Sequence, residues 1–267
     1  MNTERNTKRN PSVDCLKGIS ILFIILTHFS WSDNIPHKLL FQYWVDMAVP
    51  IFMILSGYVY ALSYKRKSIE KLSQAYNIPY ILEKMIRYIF PYLIAFVVEF
   101  IYRYYFKKHT FVTLSEWISM FLHGGVGPGA YYVPIMIQLV FLFPLIFFMI
   151  RKLDYIGLIS SFILCFLFEI IQHIMHMDPE VYRFLIFRYL FAIVAGCYLA
   201  IGRHQLSILI ASVSSCVGAF WIFLLTIYGY NPMVVMPAWG GYRLHRNLMD
   251  YSVCQLRFEK RNRNSIP

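Results

Sequence analysis

An all-α, polytopic transmembrane helical bundle of about seven spans is the architecture this sequence predicts, and three observations predict it. Of its 267 residues, 58% are hydrophobic and only 15% are charged, where soluble domains carry about 25%; the mean hydropathy is +0.53. The apolar residues come in blocks of about 20, the length that crosses the hydrocarbon core of a bilayer. Most of the 25 lysines and arginines gather between those blocks, where basic residues orient spans.

Residues 1–13, with Arg5, Lys8, Arg9 and Pro11, form a polar tail on the cytoplasmic side. No small-residue cleavage site follows the first apolar run, so it reads as a retained span rather than a signal peptide. Residues 14–229 are the transmembrane domain. Its spans are expected at 16–31, 44–64, 88–106, 131–150, 155–172, 184–201 and 206–229. The densest charge block, from Lys65-Arg66-Lys67 through Glu70, Lys71, Glu83, Lys84 and Arg87, belongs on the cytoplasmic side and places the N-terminus there too. Span three opens at Phe90-Pro91, a proline being tolerated in a first helical turn. Residues 114–123 are apolar at helical spacing but too short to cross, which points to a re-entrant or interfacial helix. Residues 230–267 form a basic tail, with Arg243, Arg246, Arg257, Lys260, Arg261 and Arg263. Seven spans would leave this tail outside, against the charge rule, so either a short segment around 230–240 re-enters the membrane or the tail is not a native ending.

The net charge of +11 follows from span orientation, and no nucleic-acid motif accompanies it, so no nucleic-acid partner is expected. Cys15, Cys165, Cys197, Cys216 and Cys254 show no paired spacing, which gives no disulfide or metal framework. Gly124 to Gly129 lacks the Lys-Ser/Thr of a phosphate loop and reads as a turn. Glu169, His173 and His176 share one helical side, with Asp178 just beyond. They lack a metal-binding HExxH pattern and read as a wet outer loop.

The most informative stretch runs from Asp14 to Trp31. Lys17 and His28 are eleven residues apart. On a helix that is three turns plus about 20°, so both lie on one face, with His28 about 16 Å deeper along the axis. Ionisable groups inside a bilayer are costly and mark sites by default. The plain alternative keeps Lys17 as a snorkelling flank and His28 as an interfacial residue. Asp46, at the outer end of span two, is placed to orient an imidazole or to sit solvated at the interface. Lys84 and Arg87, three apart at the mouth of span three, are either topology signals or cations that meet an anionic cytosolic ligand. Ser56-Gly57 is a nucleophile only if a base reaches it, and small residues in a span more often mark close helix packing.

Taken together these residues resemble the membrane-bound acyltransferase 3 family, in the branch of O-acetyltransferases similar to intercellular-adhesin and polysaccharide acylation proteins. Asp14-Cys-Leu-Lys-Gly-Ile-Ser-Ile-Leu-Phe-Ile-Ile-Leu-Thr-His28 is similar to the family's first-span pattern. Val45-Asp-Met-Ala-Val-Pro-Ile-Phe-Met-Ile-Leu-Ser-Gly-Tyr58 resembles its second-span signature. Glu83-Lys-Met-Ile-Arg-Tyr-Ile-Phe-Pro91, Tyr131 to Pro144 and Phe187 to Gly196 are similar to later segments, in the same order.

The resemblance implies transfer of an acyl group, usually acetyl, from acyl-coenzyme A to a hydroxyl of an extracytoplasmic glycan, in the plasma membrane. The family's functional histidine falls on His28 and its functional arginine on Lys17. The expected catalytic set is His28, Lys17 and Asp46, with Lys17, Lys84 and Arg87 toward acyl-coenzyme A and no metal. Membrane lipid and a glycan acceptor are the expected partners. Members usually have about ten spans against about seven here, so a truncated product, with residues 230–267 as a non-native ending, is a further expectation. Two alternative functions follow: a polysaccharide export or assembly component, and an inactive truncated member.

Overall fold

The computed structural model describes residues 11–31, 35, 38–45, 47–106, 113–122, 131–202 and 208–227. These residues are overwhelmingly helical, and none of them forms a strand. In chain order the helices are α1 (Pro11–His28), α2 (Phe41–Trp44), α3 (Ala48–Arg66), α4 (Leu72–Ala75), α5 (Ile78–Phe106) and α6 (Leu114–Leu122). They continue as α7 (Tyr132–Leu153), α8 (Tyr155–Ile174), α9 (Pro179–Phe184), a 3-10 turn (Ile186–Tyr189), α10 (Leu190–Ile201) and α11 (Ile208–Ile227). Among the described residues, five helices are long and apolar enough to cross a membrane: Pro11–His28, Ala48–Arg66, Ile78–Tyr102, Tyr132–Leu153 and Tyr155–Gln172. The chain is thus an all-α, multi-pass membrane bundle.

The remaining two expected spans take different forms. Residues 184–201 do not make one long helix. Leu185 is extended (φ −81, ψ 126), which breaks the helix and leaves Ile186–Ile201 as a shorter apolar segment. Residues 208–227 form the 20-residue α11. The expected short helix at 114–123 is α6, nine residues long.

Two boundaries shift for one reason. Helix α1 begins at Pro11 rather than residue 16, and α5 begins at Ile78 rather than 88. Hydropathy marks where a segment turns apolar, whereas backbone hydrogen bonding carries a helix through Asp14, Lys17, Glu83 and Lys84. Pro91 is therefore mid-helix instead of in a first turn. Transmembrane helices tolerate this where neighbours re-satisfy the freed carbonyl.

The residues divide into two compact units, the boundary falling inside α3 between Ser56 and Gly57. The first unit holds α1, α2, the start of α3 and α11. Here α11 packs on α2, and Val13, Leu16 and Ser20 form the buried face of α1.

The second unit, the described residues from Gly57 to Gly202, is built around α10, whose residues Leu190 to Tyr198 are all buried. A helix apolar all round belongs in such a core. α7 presents Ile135, Leu139, Phe143, Ile146 and Ile150 to that core, the i, i+4, i+7/8 spacing of one face. α7 and α8 join through Asp154 alone, whose backbone turns sharply at φ 50 and ψ −122. Gly57 lies so close to α10 that an added Cβ would stand 2.0 Å from the carbonyl oxygen of Ile193. That contact gives the Ser56-Gly57 pair its packing role. The Ser56 hydroxyl is turned back to the Phe52 carbonyl at 2.8 Å.

Helix α8 is inverted relative to a soluble amphipathic helix. Its buried side carries Ser161, Cys165, Glu169 and Gln172, while Ile156, Ile159, Ile163, Leu167 and Ile171 face outward. In hydrocarbon the outward isoleucines meet lipid at no cost, and the polar groups must be satisfied inside the protein.

Candidate functional site

Lys17 and His28 are both on α1, Lys17 in its second turn and His28 as its last residue. An unbroken helix between them preserves the expected geometry, about 20° of rotation and about 16 Å of rise. Lys17 is half-buried beside Leu16 and Ser20, while His28 is exposed. Asp46 lies outside the described residues, as do residues 124–129 and 228–267.

An aromatic collar surrounds the sequence just past His28. Trp31 stands 4.8 Å from Phe29 and 5.4 Å from Phe41, ring centre to ring centre. Phe41 is 5.2 Å from Trp44, and Trp44 is 5.4 Å from Phe23 of α1. Both indole N–H groups donate to the local backbone, Trp31 to Leu26 O at 2.8 Å and Trp44 to Leu39 O at 2.7 Å. The rings are held by one tilted and three edge-to-face contacts and by these bonds, which leaves broad apolar faces in fixed positions. Aromatic residues at both ends of the short loop 32–41 were the available sign, since such residues collect at membrane interfaces.

Lys84 and Arg87 share α5 but their side chains part. Lys84 Nζ sits over the rings of Tyr60, at 4.6 Å, and Tyr80, at 5.5 Å, inward against α3. Arg87 is exposed and pairs with Glu83 one turn earlier. Glu83 also meets Lys67 at 3.5 Å, and Lys67 covers the Tyr80 ring at 4.2 Å. Three cations around one carboxylate leave this end of α5 positive. Lys84 is held in a cation–aromatic clamp, worth on the order of 1–2 kcal/mol where desolvated, while Arg87 stays exposed on the same helix.

A third polar cluster is buried where the sequence suggests a wet outer loop. Glu169, expected in a wet outer loop, is 2% exposed, because α8 continues through it to Ile174 and turns it inward. The Tyr182 hydroxyl donates to Glu169 Oε1 at 2.5 Å. The guanidinium of Arg188, 9% exposed, lies over the rings of Tyr182 and Tyr189 at 4.9 and 4.6 Å. Gln138 of α7 ties the same region together, donating to Phe184 O at 2.6 Å and accepting from the Ile186 N–H at 3.1 Å. These contacts anchor α9 and the 3-10 turn to α7 and α8. The available sign was a charge inside an apolar block, at Glu169 and again at Arg188.

Comparison with known proteins adds one positive finding. The family model described as an acyltransferase domain, that of the acyltransferase 3 family, matches residues 10–252. No curated protein and no solved structure gives a match.

Proposed function

This chain belongs to the acyltransferase 3 family, and on that premise we propose that it moves an acetyl or other acyl group from acyl-coenzyme A to a hydroxyl of a cell-envelope or extracellular polysaccharide. The observation that carries the reading is the continuous α1 inside the matched residues, which holds a cation and a histidine on one face of an apolar span.

In the proposed reaction the His28 imidazole takes the proton of the acceptor hydroxyl, a role to which histidine is suited near neutral pH. The hydroxyl oxygen bonds to the thioester carbonyl carbon, the carbon–sulfur bond breaks, and the thiolate leaves with the proton that His28 returns. The products are the ester and free coenzyme A. The rise of about 16 Å between Lys17 and His28 separates their tasks. If His28 serves the carbonyl, Lys17 serves the phosphate end of the donor. Lys84 and Arg87 carry the same positive charge and are assigned to donor phosphates. Asp46 is assigned to orient His28. Trp31, Phe41 and Trp44 offer ring faces to a sugar.

The protein is proposed to lie in the plasma membrane with its N-terminus cytoplasmic, as the charge block after α3 favours. Lysine in place of the family arginine favours a second reading, a member with weak or no transfer, because an ammonium lacks the bidentate fork of a guanidinium.

The test is to measure secreted polymer and its acetyl content in cells expressing wild type, His28→Ala or no protein. Loss of acetyl from polymer that is still exported supports the enzyme. Loss of the polymer itself supports an export role. Unchanged acetyl content in His28→Ala at equal protein level removes His28 from the mechanism.

A further inference from the structure

The last turns of α3 and α7 and the end of α10 line a half-open cavity of about 420 Å³ in the second unit. That size falls within the range of small-molecule sites, roughly 300–1,000 Å³. Its apolar wall is Tyr64, Ile69, Phe147 and Ile201. Tyr64 and Phe147 are buried, and their rings meet edge to face with centres 5.0 Å apart. The polar lining is Lys65, Arg151, Ser68 and Glu70.

Two of these groups have an ordinary role. Lys65 donates to Ala200 O at 3.3 Å and Arg151 to Ile69 O at 3.4 Å, so each neutralises carbonyls near a helix end. Span orientation alone also accounts for cations there. Neither role accounts for a cavity with one rigid aromatic wall and a charged rim. Ser68 is held on that rim by a left-handed φ of 51, with its N–H bonded to Lys65 O at 3.1 Å.

We propose that this cavity binds the phosphodiester of an anionic membrane-lipid headgroup. Two cations against the Glu70 carboxylate leave one net positive charge, which balances a phosphodiester monoanion. A soluble polyphosphate such as coenzyme A would bring several negative charges toward Glu70. The apolar wall suits the glycerol and first acyl carbons of a lipid. The position, at the basic ends of two spans, is where headgroups lie and where basic pockets between spans capture them. The cavity lining does not include Lys17 or His28, and lipid binding there does not rest on the reaction assigned to them.

The experiment uses the full chain in phosphatidylcholine nanodiscs doped with phosphatidylglycerol, with retained phosphatidylglycerol counted by native mass spectrometry. The combined variant Lys65→Gln/Arg151→Gln is expected to weaken retention about tenfold or more. Lys152→Gln removes an exposed cation of the same helix end that does not line the cavity, and is expected to match wild type. Ile201→Trp fills the cavity without changing charge and is expected to lose the lipid as well, which covers the case of a charge variant that does not fold. Equal retention by wild type and by folded cavity variants overturns the proposal. So does an equal loss in Lys152→Gln, which would mean diffuse surface charge. Displacement of the lipid by stoichiometric coenzyme A would assign the phosphate to a soluble donor and overturn it too.

Discussion

At the scale of single residues, the weight falls on position 17. Lysine there preserves the charge on the buried half of α1 but presents a point cation rather than a planar fork. If it holds donor phosphates, Lys17→Arg should raise acyl transfer and Lys17→Met should lower it by about tenfold or more, the worth of one charge-assisted hydrogen bond. Rates measured across acyl-coenzyme A concentrations check this, and the change should appear in KM. A second residue-scale prediction concerns Tyr182. Its hydroxyl supplies Glu169 with a donor at 2.5 Å in a buried setting. Tyr182→Phe should therefore lower stability by about 1–3 kcal/mol, read as a drop in the thermal midpoint of the purified protein. Lys17 and His28 were legible in the sequence because their spacing alone puts them on one helical face. Glu169 and Arg188 were not, because a hydropathy window records that a charge is present and not which side of the helix it takes.

At the scale of elements, α3 approaches α10 closely at Gly57. A methyl group at Gly57 would meet the Ile193 carbonyl at 2.0 Å, and backbone cannot rotate away as a side chain can. Gly57→Ala should destabilise the fold by about 1–3 kcal/mol, and Gly57→Leu by more, seen as falling membrane levels and thermal midpoints. The element boundaries show what a sequence encodes about helices in a bilayer. Blocks of apolar residues located α7 and α8 to within a few residues. They located α1 and α5 late, because these helices run on through charged residues. They located the segment Ile186–Ile201 to within two residues, but not the extended Leu185 that separates it from α9. That break depends on the contacts of Gln138 with Phe184 and Ile186, which link residues far apart in the chain.

At the scale of the molecule, five bilayer-length helices and the family match over residues 10–252 make this a multi-pass membrane acyltransferase family member. The proposed orientation has its own test. Cysteine at position 71, in the charged turn after α3, should react with a membrane-impermeant thiol reagent only from the cytoplasmic side. Cysteine at position 39, before α2, should react only from outside, and the reverse pattern would invert the topology. The chemistry has a more direct test. Membranes carrying wild-type protein, supplied with labelled acetyl-coenzyme A and envelope polysaccharide, should transfer label to the polysaccharide. Membranes carrying His28→Ala at equal abundance should transfer at least about 100-fold less, the lower range of a general base's contribution. Equal transfer by the two would contradict the assignment of catalysis to α1.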